Sequence, residues 1–198
     1  LALDPENRWH WRYSRRSLDA ESIRDAMLAV SGQLDRTVPT SHPFPDVNSW
    51  GYTIHNPFHA VYHTNHRSVY LMLQRNRRHP YLALFDAADP NQSVASRQPT
   101  TTPTQALFLM NSPFVHEQAT GFAKRIINHS GDDHTKMRWA FETTHGRIPK
   151  QTAINDALLF VSNYRKNLDG KNHQEDDVAA WSALSRVLLT SNAFLFVD

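Results

Sequence analysis

The sequence predicts a mainly α fold, in which an irregular, proline-rich middle with little strand is followed by an antiparallel helical array. Eight of the eleven prolines lie between residues 35 and 105, where helical periodicity is weak. Residues 102–198 instead show successive apolar stripes at helical spacing, separated by capping residues and glycines. We therefore expect residues 1–198 to form a single helical domain, with residues 35–101 as an irregular insert within it.

The first predicted helix covers about residues 18–31, and Gly32 suits its C-terminal end. Its apolar stripe consists of Ile23, Ala26, Met27 and Val30, and its polar side carries Glu21, Arg24 and Asp25. In the middle, Arg67–Leu73 contains β-branched and aromatic residues, which favours a short strand or extended segment. Pro80 suits the first turn of a short helix that follows.

The second half has clearer helix signals. Thr102, Pro103 and Gln105 match a capping box, in which the threonine hydroxyl and the glutamine amide each bind a free backbone N–H of the first turn. Asn111 suits the end of that helix, and Ser112 with Pro113 the start of the next. Four further apolar stripes follow: Val115/Ala119/Phe122/Ile126, Met137/Ala140/Phe141/Thr144, Ile154/Ala157/Leu158/Val161/Tyr164 and Val178/Trp181/Leu184/Leu188.

Composition excludes several kinds of function. The chain has no cysteine, which rules out disulfides, thiolate zinc sites and covalent c-type haem attachment within it, and we expect no cofactor in this chain. The net charge is only +2, so nucleic acid is not an expected partner even though arginines cluster beside aromatic residues near the N-terminus. No apolar run is long enough to predict a membrane span.

A histidine-rich segment raises the possibility of a metal site. If a helix begins near Pro57, then His59, His63 and His66 lie at positions i, i+4 and i+7 on one face. Imidazole suits zinc, copper or nickel, but a complete site also needs a further ligand and supporting hydrogen bonds. A His-rich surface, or a loop packed against aromatic residues, is the alternative.

Acidic residues and serines provide no catalytic motif. Asp86 and Asp89 lie in a turn, where aspartate commonly accepts hydrogen bonds from backbone N–H groups, and this interpretation is preferred to a hydrolase carboxylate pair. No G-x-S-x-G motif is present, and the six glycines form no phosphate-binding loop.

Several stretches together resemble a planctomycete-specific family, domain-of-unknown-function family 1553. They are "PENRWHWRYSRRSLDAESIRDAMLAVSGQLD" (5–35), "HRSVYLMLQRNRRHPYLALFDAADPNQS" (66–93), "RQPTTTPTQALFLMNSPFVHEQATGFAKRI" (97–126), "HGRIPKQTAINDALLFV" (145–161) and "LLTSNAFLFVD" (188–198). The resemblance implies the C-terminal portion of a larger extracytoplasmic (periplasmic or secreted) protein. Its partners would be the upstream domains, where haem is expected on cytochrome c-like domains.

The signature polar residues Arg67, Asp86, Arg97 and Gln105 are the candidate binding residues. They are expected either to form a buried network that ties the irregular middle to the helices, or to line a polar groove for glycans. The expected function is a non-catalytic scaffold, or a helical domain that binds a polysaccharide or another partner. The alternative is part of an extracytoplasmic redox or polysaccharide-processing enzyme.

Overall fold

The computed structural model describes residues 4–11, 13, 15–39, 61–168 and 172–197, and its fold is mainly helical, which confirms the predicted class. The α-helices in these ranges are α1 (Ala20–Ser31), α2 (Pro80–Leu84), α3 (Pro103–Asn111), α4 (Pro113–Asn128), α5 (Asp133–His145), α6 (Gln151–Lys166), α7 (His173–Leu189) and α8 (Asn192–Leu195). Two short antiparallel strands, β1 (Arg16–Ser17) and β2 (Phe196–Val197), pair with each other. None of the described helices is long and apolar enough to cross a membrane.

The chain divides into two compact units. The α7 unit combines the described residues of Leu1–Leu18 with those of Ala123–Asp198, and the α1 unit is formed by the described residues of Asp19–Phe122. The boundary between the two units falls inside α4. The prediction of one domain with an insert over residues 35–101 stays a prediction.

The α7 unit is built from consecutive helices joined by short connections, with α5 packed on α6 and α6 on α7. Its core contains Met137, Ala140, Ile154, Ala157, Val161, Trp181, Leu184 and Leu188, all buried as the apolar stripes predict. Tyr164, predicted on the same stripe of α6, is instead exposed. The left-handed conformation of Gly146, with φ of 64°, ends α5 where the sequence predicts.

Arginines of the α7 unit form ion pairs and cation–π contacts with neighbouring elements. Arg165 of α6 pairs with Asp177 of α7 at 2.7 Å and lies 3.7 Å from Asp133 of α5. The guanidinium carbons of Arg15 and Arg16 lie 4.7 Å and 5.7 Å from the ring centres of Phe196 and Tyr13. Arginines of the N-terminal cluster therefore take part in cation–π contacts.

Ser185 of α7 is the basis of a stability prediction. Its side chain is fully buried, and its hydroxyl has no hydrogen-bond partner in the described structure. Because an unpaired buried hydroxyl is destabilising, we expect Ser185→Ala to raise the free energy of unfolding by about 1 kcal/mol. Chemical denaturation measures the change, and Ser182→Ala is the control, since the Ser182 hydroxyl donates to the Val178 carbonyl at 2.6 Å. Equal effects of the two substitutions would contradict the prediction.

In the α1 unit, α1 is the central element. It begins after Asp19 and ends at Gly32, whose φ of 80° is left-handed, close to the predicted bounds. The Ser31 hydroxyl lies 2.7 Å from the buried Gln118 amide oxygen of α4. A Cβ added at Gly121 would lie 3.2 Å from the Ser31 Cβ, so glycine permits this close approach.

Aromatic packing holds α2 against α1 and α3. The buried Tyr81 hydroxyl donates to the Ala20 carbonyl at 2.7 Å, and burial raises the pKa of Tyr81. Its ring centre lies 5.0 Å from that of Phe85 and 5.5 Å from that of Phe108. The predicted capping box of α3 is also confirmed: Thr102 Oγ1 accepts from the Gln105 N–H, and the Gln105 side chain accepts from the Thr102 N–H.

The short strand or extended segment predicted over Arg67–Leu73 is wrong for Ser68–Tyr70. Residues Ser68–Tyr70 form a short 3₁₀ helix, in which the Tyr70 and Leu71 N–H groups donate to the Arg67 and Ser68 carbonyls. The Ser68 N–H donates instead to the Asp25 carboxylate of α1 at 2.8 Å. These backbone donors are therefore occupied locally and by a helix side chain, so they do not pair with a neighbouring strand.

Candidate functional site

A cleft of about 840 Å³ lies beside α1 within the α1 unit. Part of its described lining comes from α1. The other described lining residues are Asp19, Leu34, Arg36, Arg67, Ser68, Val69, Leu71, Leu73, Leu82 and Arg97. The volume is within the range of about 300–1,000 Å³ that is typical of ligand pockets. We call this space the α1 cleft.

Six ionisable side chains in the described lining carry balanced charge. Three are acids and three are arginines: Asp19, Glu21, Asp25, Arg36, Arg67 and Arg97. At neutral pH their formal charges cancel. The pairing among these groups therefore determines which of them can interact with a ligand.

Glu21 and Arg97 form a bidentate ion pair. The Arg97 Nη1 and Nη2 atoms donate to the two Glu21 carboxylate oxygens at 2.6 Å and 3.0 Å. Burial by itself raises the pKa of Glu21, but hydrogen bonds, including those from Arg97, outweigh burial, so the pKa lies below its ordinary value of 4.5. Glu21 is consequently an ionised, occupied carboxylate near neutral pH.

The Glu21–Arg97 pair predicts a specific dependence of stability on pH. Because the pKa of Glu21 is lowered by folding, the pair stabilises the folded chain above pH 4.5 and loses its effect as the pH falls through the folded-state pKa. Arg97→Gln should lower the free energy of unfolding by up to about 1 kcal/mol at pH 7, since both side chains are partly exposed.

Urea denaturation at pH 7 and below about pH 4 measures this difference, which should shrink in acid. Lys124→Gln, at an exposed position on α4, removes the same charge without breaking the pair. A deficit for Arg97→Gln that persists unchanged in acid would show that the pair is not its cause.

Arg24 and Asp25 of α1 form hydrogen bonds with residues 64–68, the segment that leads into the wall of the α1 cleft. The Arg24 Nη1 atom donates to the His66 carbonyl at 2.9 Å and to the Ser68 hydroxyl at 3.1 Å, and its Nη2 donates to the Thr64 carbonyl. Asp25 accepts from the Ser68 hydroxyl at 2.6 Å. Burial lowers the pKa of Arg24, and the nearby Asp25 carboxylate opposes this shift. The sequence placed Arg24 on the polar side of the helix, but only 8% of it is exposed.

Two arginines in the cleft remain available to a ligand. The guanidinium groups of Arg36 and Arg67 make no hydrogen bond or ion pair with any other described residue, and both residues are exposed. Arg67 is one of the candidate binding residues predicted from the sequence. Arg36 was not predicted, because it lies in an irregular stretch where no periodicity assigns it to a face.

The uncharged part of the described cleft lining is mainly aliphatic. Val69 and Leu73 are 71% and 55% exposed, which is high for apolar side chains beside a cleft. Leu34, Leu71 and Leu82 contribute further apolar surface, and no aromatic ring is present among the described lining residues. The α1 cleft thus combines unpaired cations with aliphatic surface.

The other two candidate binding residues belong to a separate capping network. Asp86 accepts from the Thr100 N–H at 2.6 Å and from its hydroxyl at 2.8 Å. The Gln105 side chain donates to the Leu84 carbonyl at 2.9 Å, so this network joins the end of α2 to the start of α3. Asp89 likewise accepts from the Asn91 N–H at 2.9 Å. Turn capping accounts for both aspartates, and the binding role of Asp86 and Gln105 stays a prediction.

The structure describes only part of the predicted histidine site, because His59 lies outside the described residues. His63 is exposed, and the His66 Nδ1 atom lies 3.3 Å from the Asp35 carboxylate. Among the residues that are described, no group of three or more histidines or acids is placed to hold a metal ion. The metal site therefore stays a prediction.

A serine and a histidine meet in the α7 unit without forming a nucleophile and base. His145 Nε2 lies 3.0 Å from the Ser191 Oγ, but the Ser191 hydroxyl itself donates to the Leu188 carbonyl at 2.8 Å. The Ser191 proton is thus directed at a backbone carbonyl, whereas a general base must accept that proton. The Ser191 hydroxyl thus binds a carbonyl in the last turn of α7, and its side chain makes no capping hydrogen bond to α8.

The fold and the cleft define a helical protein with a ligand-sized groove, in which most of the carboxylates are already paired. A family model described as PSD1, protein of unknown function (DUF1553), matches residues 1–161. The chain therefore belongs to this family, which confirms the resemblance found in the sequence. No curated protein and no solved structure matches the chain.

Proposed function

We propose that the chain is a non-catalytic, partner-binding domain of a larger extracytoplasmic protein and that the α1 cleft is its binding site. One observation carries the proposal: a cleft of ligand size contains two arginines, Arg36 and Arg67, that no described residue neutralises. The family likeness supports the proposed extracytoplasmic location and the proposed upstream domains, and polysaccharide is one class of partner to be tested.

The charge state of the cleft supports binding rather than acid–base catalysis. A general acid at neutral pH needs a carboxyl whose pKa is raised. Glu21 has a lowered pKa and a bidentate arginine partner, and Asp25 is occupied by two hydrogen bonds from Ser68. The alternative, part of a redox or polysaccharide-processing enzyme, therefore gains no support from these two acids.

Ligand mapping by NMR on the isotope-labelled 198-residue chain tests the proposal. Three panels are added in turn: neutral oligosaccharides, acidic oligosaccharides and short peptides. At least one panel should shift the backbone amide signals of α1 and of residues 67–73, because these segments line the cleft.

A variant with a large side chain in the cleft should no longer bind the ligand. Ala26, in α1, lies in the cleft lining, so Ala26→Trp should abolish the shifts. Ala153→Trp places the same side chain on α6 of the other unit, at a position of similar exposure, and should leave them unchanged. If no panel perturbs the cleft, or if Ala26→Trp binds as the unmodified chain does, the binding role of the cleft is wrong.

A further inference from the structure

We propose that the α1 cleft binds an extended peptide segment in which an acidic side chain neighbours aliphatic ones. This inference rests on the proposed binding function and specifies the chemistry of its ligand. Three properties of the cleft point to it: the unpaired arginines, the residues that accompany them along one wall, and the occupied state of the acids.

The unpaired arginines select for an anion. A guanidinium presents several donors in a planar fork, which matches a carboxylate through two parallel hydrogen bonds. Arg97 shows this geometry within the cleft itself, where it binds both oxygens of Glu21. Arg36 and Arg67 make no such pair with described residues, so a ligand carboxylate can take the same position on them.

The acids of the cleft do not cancel this attraction. Glu21 is neutralised by Arg97, and Asp25 lies 3.6 Å from the guanidinium of Arg24 and accepts two hydrogen bonds from Ser68. Asp19 interacts electrostatically with Arg97 and raises the pKa of that arginine further. Glu21 and Asp19 thus interact with Arg97, and no described residue forms an ion pair with Arg36 or Arg67.

The wall beside Arg67 selects for aliphatic side chains rather than sugar rings. Arg67, Ser68, Val69, Leu71 and Leu73 line the cleft, so this wall places one cation beside three aliphatic side chains. In an extended peptide, the side chains that face one side recur every second residue. Sugar rings usually stack on aromatic side chains, and the described lining contains none. The order of one cation followed by aliphatic residues therefore fits an acidic residue followed by Leu, Ile or Val.

Titration with defined peptide pools tests the inference. In the first pool an Asp or Glu is followed two and four positions later by Leu, Ile or Val, with Ser at the positions between. In the second pool Asn or Gln replaces each acid, and in the third Ser replaces each aliphatic residue. Oligogalacturonate serves as an acidic glycan. The first pool should bind at least about tenfold more tightly than the second and the third, since each lacks one of the two matching features.

Arginine variants of the full chain test whether Arg36 and Arg67 bind the acidic side chain of the peptide. Arg36→Gln and Arg67→Gln should each weaken binding of the first pool about fivefold, and the double variant about twentyfold, as expected for exposed charge-assisted hydrogen bonds. Arg147→Gln removes an exposed arginine of the α7 unit and should have no effect. Circular dichroism confirms that each variant is folded.

The outcomes separate the ligand class from the binding role. Tighter, Arg67-dependent binding of oligogalacturonate would overturn the peptide proposal while leaving the cleft as a binding site. Equal affinity for the acidic and neutral pools, or an undiminished affinity of the double variant, would overturn the role of Arg36 and Arg67. Shifts at the cleft from neutral oligosaccharides alone would also reject the acidic peptide and retain a binding domain.

Discussion

Trp181→Ala is expected to lower the free energy of unfolding by about 4 kcal/mol, because a large buried side chain is replaced by a cavity. Trp181 is 1% exposed and is the largest of the fully buried side chains among the described residues. It lies in the middle of α7, which packs against α5, α6 and α8 in the α7 unit. Loss of its ring removes apolar contacts where these helices meet, and surrounding side chains relax only partly into the space.

Chemical denaturation followed by far-ultraviolet circular dichroism measures this loss, and Trp9→Ala is the matched control. Trp9 belongs to the same unit but is 77% exposed, so its removal should change stability by less than about 0.5 kcal/mol. Trp181→Phe retains most of the buried area and should cost less than the alanine variant. Similar midpoints for Trp181→Ala and Trp9→Ala would contradict the packing of α7.

The helices could be predicted from the sequence because their signals are local. Thr102 and Gln105 cap α3 within one turn, and glycine ends α1 and α5 at positions 32 and 146. The apolar stripes likewise required only the helical period. Tyr164 belongs to a predicted apolar stripe but is exposed. A stripe predicts which side of a helix faces the core, but it does not show whether a neighbouring helix is long enough to cover each residue.

The site could be predicted only in part, because its pairings join residues far apart in the chain. Arg67 and Arg97 were among the predicted binding residues, and the structure places both in the α1 cleft. Glu21 was assigned to a polar helix face, and no local pattern relates it to a partner 76 residues away. Arg36 lies in an irregular segment for which periodicity gives no orientation.

Arg24 shows most clearly why helical periodicity was insufficient. On a helix, a charged residue outside the apolar stripe is normally solvated. Arg24 is buried instead, because two backbone carbonyls and a hydroxyl from residues 64–68 replace the water around its guanidinium. The segment that supplies these acceptors is irregular and 40 or more residues away, so the compensation is visible only in three dimensions.

Arg24→Met should therefore be strongly destabilising, by about 3 kcal/mol. Methionine fills a similar volume, but it leaves the carbonyls of Thr64 and His66 without their donor and removes the cation nearest to Asp25. Arg24→Lys keeps the charge without the planar fork, so its effect should be intermediate.

The loss of stability in Arg24→Met should be greatest in α1 and in residues 64–71, which Arg24 connects. Hydrogen exchange is expected to become faster in residues 64–71 and in α1, while α5 and α6 of the other unit keep their protection. Arg138→Met is the control, because Arg138 is exposed and pairs with Glu142 one helical turn away, where such pairs contribute about 0.5 kcal/mol or less. If the two methionine variants lose equal stability, the Arg24 hydrogen bonds do not hold this wall. If Arg24→Met is destabilised without faster exchange in residues 64–71, its role lies in the helix rather than in shaping the cleft.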